Sequence, residues 1–149
     1  MDYNMTSLEG RVLGAPVLRL GAANGNVYPV RVDQEKCNWN LDGKSVVEGK
    51  PIERWALIDF TLSSRCKLQA EEFIKNLRHH SAILGIHMED PLVCHFTGMH
   101  EFSSIVKIEG LLRMVISDAR HRSGSQGTQL QLIICVMAGK DPEYKYLKW

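Results

Sequence analysis

The run WALIDF at residues 55–60 is short and mostly apolar, which is typical of a strand buried inside a parallel sheet. Apolar residues then recur at helical spacing from Leu68 to Leu84, with Ser64 as the expected cap and Gly85 as the expected stop. The run LVCHF at residues 92–96 predicts a second strand. Together these segments indicate a strand, a crossover helix and another strand.

A second helix and a third strand follow. After a turn at Gly98, apolar residues lie on one stripe of a helix: Ile105, Ile108, Leu112, Val115, Ile116 and Ala119. Residues 121–128, HRSGSQGT, predict a mobile loop, and residues 130–137, LQLIICVM, give the strongest strand signal. Such alternation implies parallel strands with right-handed crossovers, so we predict an α/β fold.

The first fifty residues have a different character, with turn signals and extended segments rather than helical periodicity. The pair Asp42-Gly43 separates WNL at residues 39–41 from SVV at residues 45–47. Asp-Gly supplies the positive φ angles that a tight hairpin turn requires. We therefore expect an extended arm with a β-hairpin at residues 39–47.

Size and composition indicate one globular domain without strong overall charge. The chain has 149 residues, 44% of them apolar, with 18 basic and 17 acidic side chains, so any anion site must be local. It has no apolar run of the roughly 20 residues needed to cross a bilayer and no visible secretory signal. We expect a cytoplasmic protein, with the nucleus as the alternative, and no contact with membranes.

The cysteines do not predict a metal site. Cys94, His95 and His100 lie near one another in sequence, but a structural zinc site needs four converging ligands and no fourth has suitable spacing. The four thiols show no C-x-x-C pair, and we expect them to be buried or idle. No cofactor is predicted.

The residues after the last strand are the first place to look for a ligand, because ligands of open parallel sheets bind beyond the carboxyl ends of the strands. Gly139 permits a sharp turn, Asp141 can cap a helix, and Pro142 suits the first helical position. Tyr144 and Lys148 would then share one face near the positive end of that helix. This arrangement predicts a site for a terminal phosphate, with Tyr144 able to stack on a base.

A simpler interpretation is that these residues form an ordinary amphipathic helix, with Lys148 extending into solvent. By spacing alone the simpler interpretation is favoured, because such pairs are common on helices. Phosphate-binding and catalytic motifs of this fold class are absent: the sequence contains no G-x-x-x-x-G-K-[ST], G-x-G-x-x-G, G-x-S-x-G or H-E-x-x-H.

Several segments resemble Argonaute proteins. GRVL at residues 10–13, WN at 39–40, WALI at 55–58 and LQLII at 130–134 occur in the same order in that family. The patterns W-N-L-x-G-x-x-V-x-E-G-K, at residues 39–50, and K-D-x-x-Y-K-x-L-K-W, at residues 140–149, are similar to plant members. By this resemblance, residues 1–10 correspond to the end of a linker and residues 11–149 to the MID domain.

The resemblance implies a Rossmann-like sheet that binds the first nucleotide of a small RNA guide in RNA-mediated gene silencing. Tyr144 matches the tyrosine that stacks on the first base, and Lys148 matches a lysine that binds the 5′-phosphate. The nucleotide-specificity loop corresponds to residues 138–143, including Gly139, Lys140 and Asp141. The slicing carboxylates of the family lie in a separate PIWI domain, so the implied module is not an enzyme, and its partners are 5′-phosphorylated small RNA and neighbouring domains such as PIWI.

The loop also predicts a base preference. The carboxylate of Asp141 can accept a hydrogen bond from the exocyclic amine of adenine or cytosine but repels the O4 atom of uracil. The similar plant loop R-K-D-D-G-Y is associated with 5′-adenine, although this chain differs from it at Gly139, Pro142 and Glu143. We expect A or C to be favoured at the first position.

The family pattern continues past Trp149 with the rest of the helix, a further strand and more phosphate ligands. The resemblance therefore implies a MID domain that is incomplete at its C-terminus. We expect it to bind a nucleotide with millimolar affinity or weaker, on the order of 4 kcal/mol or less.

Two other classes of function stay open from the sequence. One is a protein-interaction module that docks onto neighbouring domains and binds no RNA. The other is a small nucleotide-dependent enzyme, for which Asp59, expected as a surface acid, and the loop residue His100 have suitable positions for a general base.

Overall fold

The computed structural model describes residues 9–22, 24–33, 35–124, 129–139 and 147. The chain divides into two compact units, Met1–Val47 and Glu48–Trp149. The elements in chain order are β1 (Val17–Ala22), β2 (Val27–Arg31), β3 (Lys44–Ser45), β4 (Trp55–Asp59), α1 (Ala70–Ile83), β5 (Val93–Phe96), a 3-10 helix (Met99–Ser103), α2 (Ile105–Ser123) and β6 (Leu132–Val136).

The first unit contains an antiparallel sheet with the strand order β2-β1-β3. A hairpin is present, but it joins β1 to β2 through a turn in which Gly25 has a φ of 77°. The Asp42-Gly43 turn also forms, with Gly43 at a φ of 64°. However, β3 after that turn pairs with β1 rather than with residues 39–41, so the hairpin predicted there is wrong.

Gly21 explains how β3 reaches β1. A Cβ atom on Gly21 would lie 2.8 Å from the carbonyl oxygen of Val46 and 2.9 Å from Oγ of Ser45. Real Cβ atoms do not approach other atoms so closely, so β3 can approach β1 only because position 21 has no side chain.

The second unit is the parallel sheet predicted from the sequence, with the strand order β5-β4-β6. Both pairings of the central strand are parallel, with Leu57 opposite Cys94 on one side and opposite Ile134 on the other. The predicted succession of strand, helix, strand, helix and strand is therefore confirmed. Strand β4 is bonded along both edges, and its side chains are buried throughout.

Two apolar cores cover the two faces of β4. On the face of α2, Ala56, Ile58 and Phe60 pack with residues of α2, and the rings of Phe60 and Phe102 lie 4.8 Å apart. On the opposite face, Trp55 and Leu57 pack against apolar side chains of α1. Alternate residues from Trp55 to Ile58 thus belong to different cores, which explains why these residues are all apolar.

Helix α1 begins later and ends as predicted. Its N-cap is Gln69, without a side-chain capping bond, whereas the predicted cap Ser64 accepts a hydrogen bond from the amide of Cys66 in the preceding loop. At the other end, Gly85 has a φ of 79°. Its amide donates to Ala82, and the next amide donates to Ser81, which is the Schellman pattern.

Helix α2 begins after Ser104, whose hydroxyl accepts a hydrogen bond from the amide of Lys107 at 3.3 Å. Its buried residues are Ile108, Leu111, Val115 and Ala119, so the stripe is rotated from the predicted one and leaves Ile105 exposed. The helix continues to Ser123 and stops at Gly124, with a φ of 66°. The loop predicted from residue 121 therefore begins too early, because basic side chains suit the last helical turn and Gly124 provides the stop.

Candidate functional site

The candidate site is the carboxyl edge of the parallel sheet, where the chain path changes direction. From β4 the chain passes through α1 to β5 on one side, and from β5 it passes through α2 to β6 on the other side of β4. Ligands of open α/β sheets bind at such a reversal, beyond the carboxyl ends of the two diverging strands. Those strands are β4 and β6.

The ends of β4 and β6 are held together by a hydrogen bond. The amide of Phe60 donates to the carbonyl of Val136 at 2.8 Å, continuing the register in which Asp59 lies opposite Val136. Residues 138 and 139 then form a bend. The chain after β6 therefore leaves the sheet at the edge where a ligand is expected.

Asp59 is not the surface acid that we expected. It is 3% exposed, and its Oδ1 atom accepts a hydrogen bond from the amide of Thr61 at 2.8 Å. The hydroxyl of Thr61 in turn accepts from the amide of Leu68, also at 2.8 Å. The carboxylate thus fixes the chain as it leaves β4, because a short acidic side chain can bond to a backbone amide two residues later.

The loop after β5 lies against the loop after β4. The amide of Thr97 donates to the backbone carbonyl of Asp59 at 2.8 Å, and the amide of Leu62 donates to the backbone carbonyl of Thr97 at 3.1 Å. A Cβ atom on Gly98 would lie 2.9 Å from Nδ1 of His100 and 3.1 Å from Oγ of Ser63. Glycine at position 98 therefore permits the close approach of these loops.

The buried threonines at this edge, Thr61 and Thr97, were not identified from the sequence. Each lies one or two residues beyond the end of a parallel strand, and this position was the available signal. The second proposed general base, His100, is in the 3-10 helix, with its Nε2 atom 3.3 Å from Oε1 of Glu101.

Of the five predicted binding residues, the structure describes Gly139. It is exposed and does not have a positive φ, and a Cβ atom there would meet nothing within 4 Å, so the bend does not depend on glycine. Lys140, Asp141, Tyr144 and Lys148 lie outside the described residues. Leu147 is described, and it packs against the core on the α2 face of the sheet.

Within the described ranges, no group of three or more His, Cys, Asp or Glu side chains is placed to hold a metal ion. Burial raises the pKa of the thiols of Cys94 and Cys135, while Cys37 and Cys66 are exposed. Of the helices that the structure describes, none has the length and apolar character that crossing a bilayer requires.

Comparison with known proteins identifies the relatives of the chain. A family model described as the Mid domain of argonaute matches residues 35–107. Protein argonaute 2 of Oryza sativa subsp. japonica is 30% identical over 150 residues, covering 99% of this chain and 14% of the relative. Protein argonaute 7 of Arabidopsis thaliana is 32% identical over 150 residues, covering 99% and 13%, respectively.

A third relative, Protein argonaute 4 of Arabidopsis thaliana, is 26% identical over 151 residues, covering 100% of this chain and 14% of the relative. The chain thus spans a small part of the length of each relative, although the alignments cover nearly all of the chain. Residues 35–107 therefore match the family model of the Argonaute MID domain, and the chain as a whole is similar to plant Argonautes.

Proposed function

We propose that the chain binds the first nucleotide of a small RNA guide within an Argonaute and has no catalytic role of its own. The observation that carries the proposal is the bond between Phe60 and Val136, which joins the two strands at the topological reversal. The segment that leaves this point contains Gly139, Lys140, Asp141, Tyr144 and Lys148. The resemblance to Argonautes implies that this segment binds the 5′-nucleotide.

The side chains of this segment are of the types that bind the 5′ end of a nucleic acid strand. Lys148 supplies a charge-assisted hydrogen bond to a 5′-phosphate, and Tyr144 supplies a ring for base stacking. Leu147, between these two residues in sequence, packs against the α2 face of the sheet. Apolar packing of the intervening residue would hold the segment against the fold while its polar neighbours meet the ligand.

A titration of the chain with nucleoside 5′-monophosphates, followed by nuclear magnetic resonance, tests the proposal. We expect millimolar binding, with shift changes at Tyr144 and in the bend at residues 138–139. Tyr144→Ala and Lys148→Ala should each abolish measurable binding. The matched controls Tyr28→Ala and Lys36→Ala alter exposed residues of the first unit and should leave the titration unchanged.

Base selectivity is measured in the same titration. Asp141 should favour adenosine or cytidine monophosphate over uridine monophosphate by a few-fold, because its carboxylate accepts from an exocyclic amine. Asp141→Asn should remove the preference, because an amide can both donate and accept. Superimposable curves for adenosine and uridine monophosphate would contradict this part of the proposal.

The second candidate is an interdomain interaction module without RNA binding. Exposed apolar residues in the first unit favour it: the exposed fraction is 97% for Val12, 72% for Leu13 and 62% for Val17. Exposed apolar groups are typical of surfaces that contact other domains, such as a PIWI domain. Absence of any shift change at Tyr144 with saturating nucleotide would favour this candidate over nucleotide binding.

A further inference from the structure

We propose that Asn24 is a site of spontaneous deamidation and that the folded β1–β2 hairpin protects it, so that the modification accumulates in chains whose hairpin has opened. Asn24 is followed by Gly25, and this is the one Asn-Gly pair in the sequence. Both residues are exposed between β1 and β2. The reaction needs water and a solvent base, but no enzyme, cofactor or bound RNA.

The nucleophile of this reaction is the backbone nitrogen of Gly25. It gives its proton to solvent base and attacks the Cγ atom of Asn24, and the new C–N bond closes a cyclic succinimide. The Cγ–Nδ2 bond breaks, and Nδ2 takes up a proton from solvent and departs as ammonia. Water then opens the ring at either of its two carbonyls, which leaves aspartate or isoaspartate at position 24.

Glycine is the most favourable residue to follow the asparagine. It has no Cβ atom beside the attacking nitrogen, and its backbone reaches conformations that other residues rarely adopt. A Cβ atom built on Gly25 would meet nothing within 4 Å, so none of the described residues shields this side of the turn. Access of water and base to the pair is therefore not what limits the reaction.

Hydrogen bonds of the folded turn engage the groups that must react. The amide of Gly25, which has to lose its proton, donates to the carbonyl of Ala22 at 2.9 Å. The Oδ1 atom of Asn24 accepts from the amide of Asn26 at 3.0 Å, and its Nδ2 atom donates to Oη of Tyr28 at 3.1 Å. The nucleophile and both polar ends of the side chain are thus held, so the turn has to open before the ring can close.

Ala22 links position 24 to the rest of the first sheet. Its carbonyl accepts from Gly25, its amide donates to the carbonyl of Asn26 at 3.0 Å, and it pairs with Lys44 of β3. Isoaspartate carries the main chain through its own Cβ and Cγ atoms and so lengthens the backbone inside the turn. The product should therefore disrupt the bonds at Ala22 and weaken both pairings of β1.

Tyr28 reports on the state of position 24. Hydrogen bonds from the side-chain amides of Asn24 and Asn26 lower the pKa of this phenol. A carboxylate cannot donate such a bond, and its charge opposes that of the phenolate. Asn24→Asp should therefore raise the pKa of Tyr28, as followed by the ring carbon shift, whereas Asn40→Asp should not. An unchanged pKa in Asn24→Asp would contradict the bond that holds Nδ2.

Incubation of the folded chain and of the chain unfolded in guanidinium chloride, at the same mildly alkaline pH, tests the proposal by peptide mass mapping. We expect Asn24 to react at least about tenfold faster in the unfolded chain, which corresponds to about 1.4 kcal/mol of opening free energy. Asn40 is the internal control. Its Oδ1 atom accepts from the amide of Asp42 at 2.6 Å, but Leu41 follows it, so it should stay unmodified in both samples.

Tyr28→Phe removes the oxygen that holds Nδ2 of Asn24. It should speed the reaction in the folded chain by about twofold to tenfold and leave the rate in guanidinium chloride unchanged. Lys36→Ala, at an exposed position of the same unit, should alter neither rate. A difference below tenfold between the folded and unfolded chains would show that the turn gives no such protection. Reaction of Asn40 as fast as Asn24 would show that Gly25 has no role, and either result overturns the proposal.

Discussion

Gln131 joins the start of β6 to the segment that enters β4. Its side-chain oxygen accepts from the amides of Glu53 and Arg54 at 2.8 and 2.9 Å, and its side-chain nitrogen donates to the carbonyl of Pro51 at 3.1 Å. A single amide group thus satisfies three backbone groups of a segment distant in sequence. The residue acts as a clamp on the central strand.

Replacement of this clamp should destabilise the fold. Gln131→Ala removes three hydrogen bonds at an exposed position, and we expect a loss of about 1–2 kcal/mol in the free energy of unfolding. Urea denaturation measures the change. Gln129→Ala is the control, because the Gln129 contact to Arg54 uses its backbone carbonyl, and a similar loss in that variant would argue against the clamp.

Glu89 and His87 form a second residue-scale pair. The imidazole Nε2 atom of His87 lies 2.9 Å from the carboxylate, and this hydrogen bond lowers the pKa of Glu89. Since the pKa is lower in the folded state, the contribution to stability is present above the unfolded pKa and disappears as the pH falls through the folded pKa. Both groups are exposed, so solvent screens the effect.

Removal of the imidazole should raise the pKa of Glu89. We expect His87→Ala to move it toward the ordinary glutamate value, as followed by the carboxyl carbon shift during a pH titration. His79→Ala, an exposed histidine of α1, should leave it unchanged. An unaltered Glu89 titration in His87→Ala would show that His87 is not the cause.

The roles of single side chains were the least predictable from sequence. Asp59 was expected at the surface because carboxylates are normally exposed, but its bond to the Thr61 amide permits burial. Ser64 had a suitable position for a helix cap, yet its hydroxyl accepts a hydrogen bond from the amide of Cys66 in the loop before the helix. In both cases the partner is a backbone amide whose location depends on the folded path.

At the scale of elements, helices and buried strands followed directly from periodicity. The two helices and three parallel strands have apolar residues at the expected spacing, so the pattern alone located them. The hairpin predicted at residues 39–47 is wrong because β3 pairs with β1, more than twenty residues earlier in the chain. A turn signal such as Asp-Gly does not indicate which distant strand will be the partner. Gly21, which permits that pairing, resembles any other loop glycine in the sequence.

Helix α2 provides a test that compares two of its glycines. Gly110 lies inside the helix with open space around it, so Gly110→Ala should stabilise the protein by about 0.5–1 kcal/mol. Gly124 ends the helix with a φ of 66°, so Gly124→Ala should destabilise it by about 1 kcal/mol. Urea midpoints that shift in the same direction for both would contradict these assignments.

At the scale of the whole molecule, the sequence predicted a parallel sheet but not its strand order. The order β5-β4-β6 defines the reversal between β4 and β6 and thereby the edge where a ligand is expected. The resemblance to Argonautes also predicts a ligand after β6, because it assigns nucleotide binding to Tyr144 and Lys148. Four of the five predicted site residues lie outside the described ranges, so their roles stay predictions.

The double burial of β4 has a consequence for where this sequence can change. Each apolar residue of this strand, from Trp55 to Ile58, belongs to one of two cores, so almost any substitution there disturbs packing on one face or the other. The bend at residues 138–139 is less constrained, because a Cβ atom on Gly139 would meet nothing within 4 Å. Sequence change at the carboxyl edge of the sheet is therefore easiest in the bend after β6, while the two cores constrain β4 from both faces.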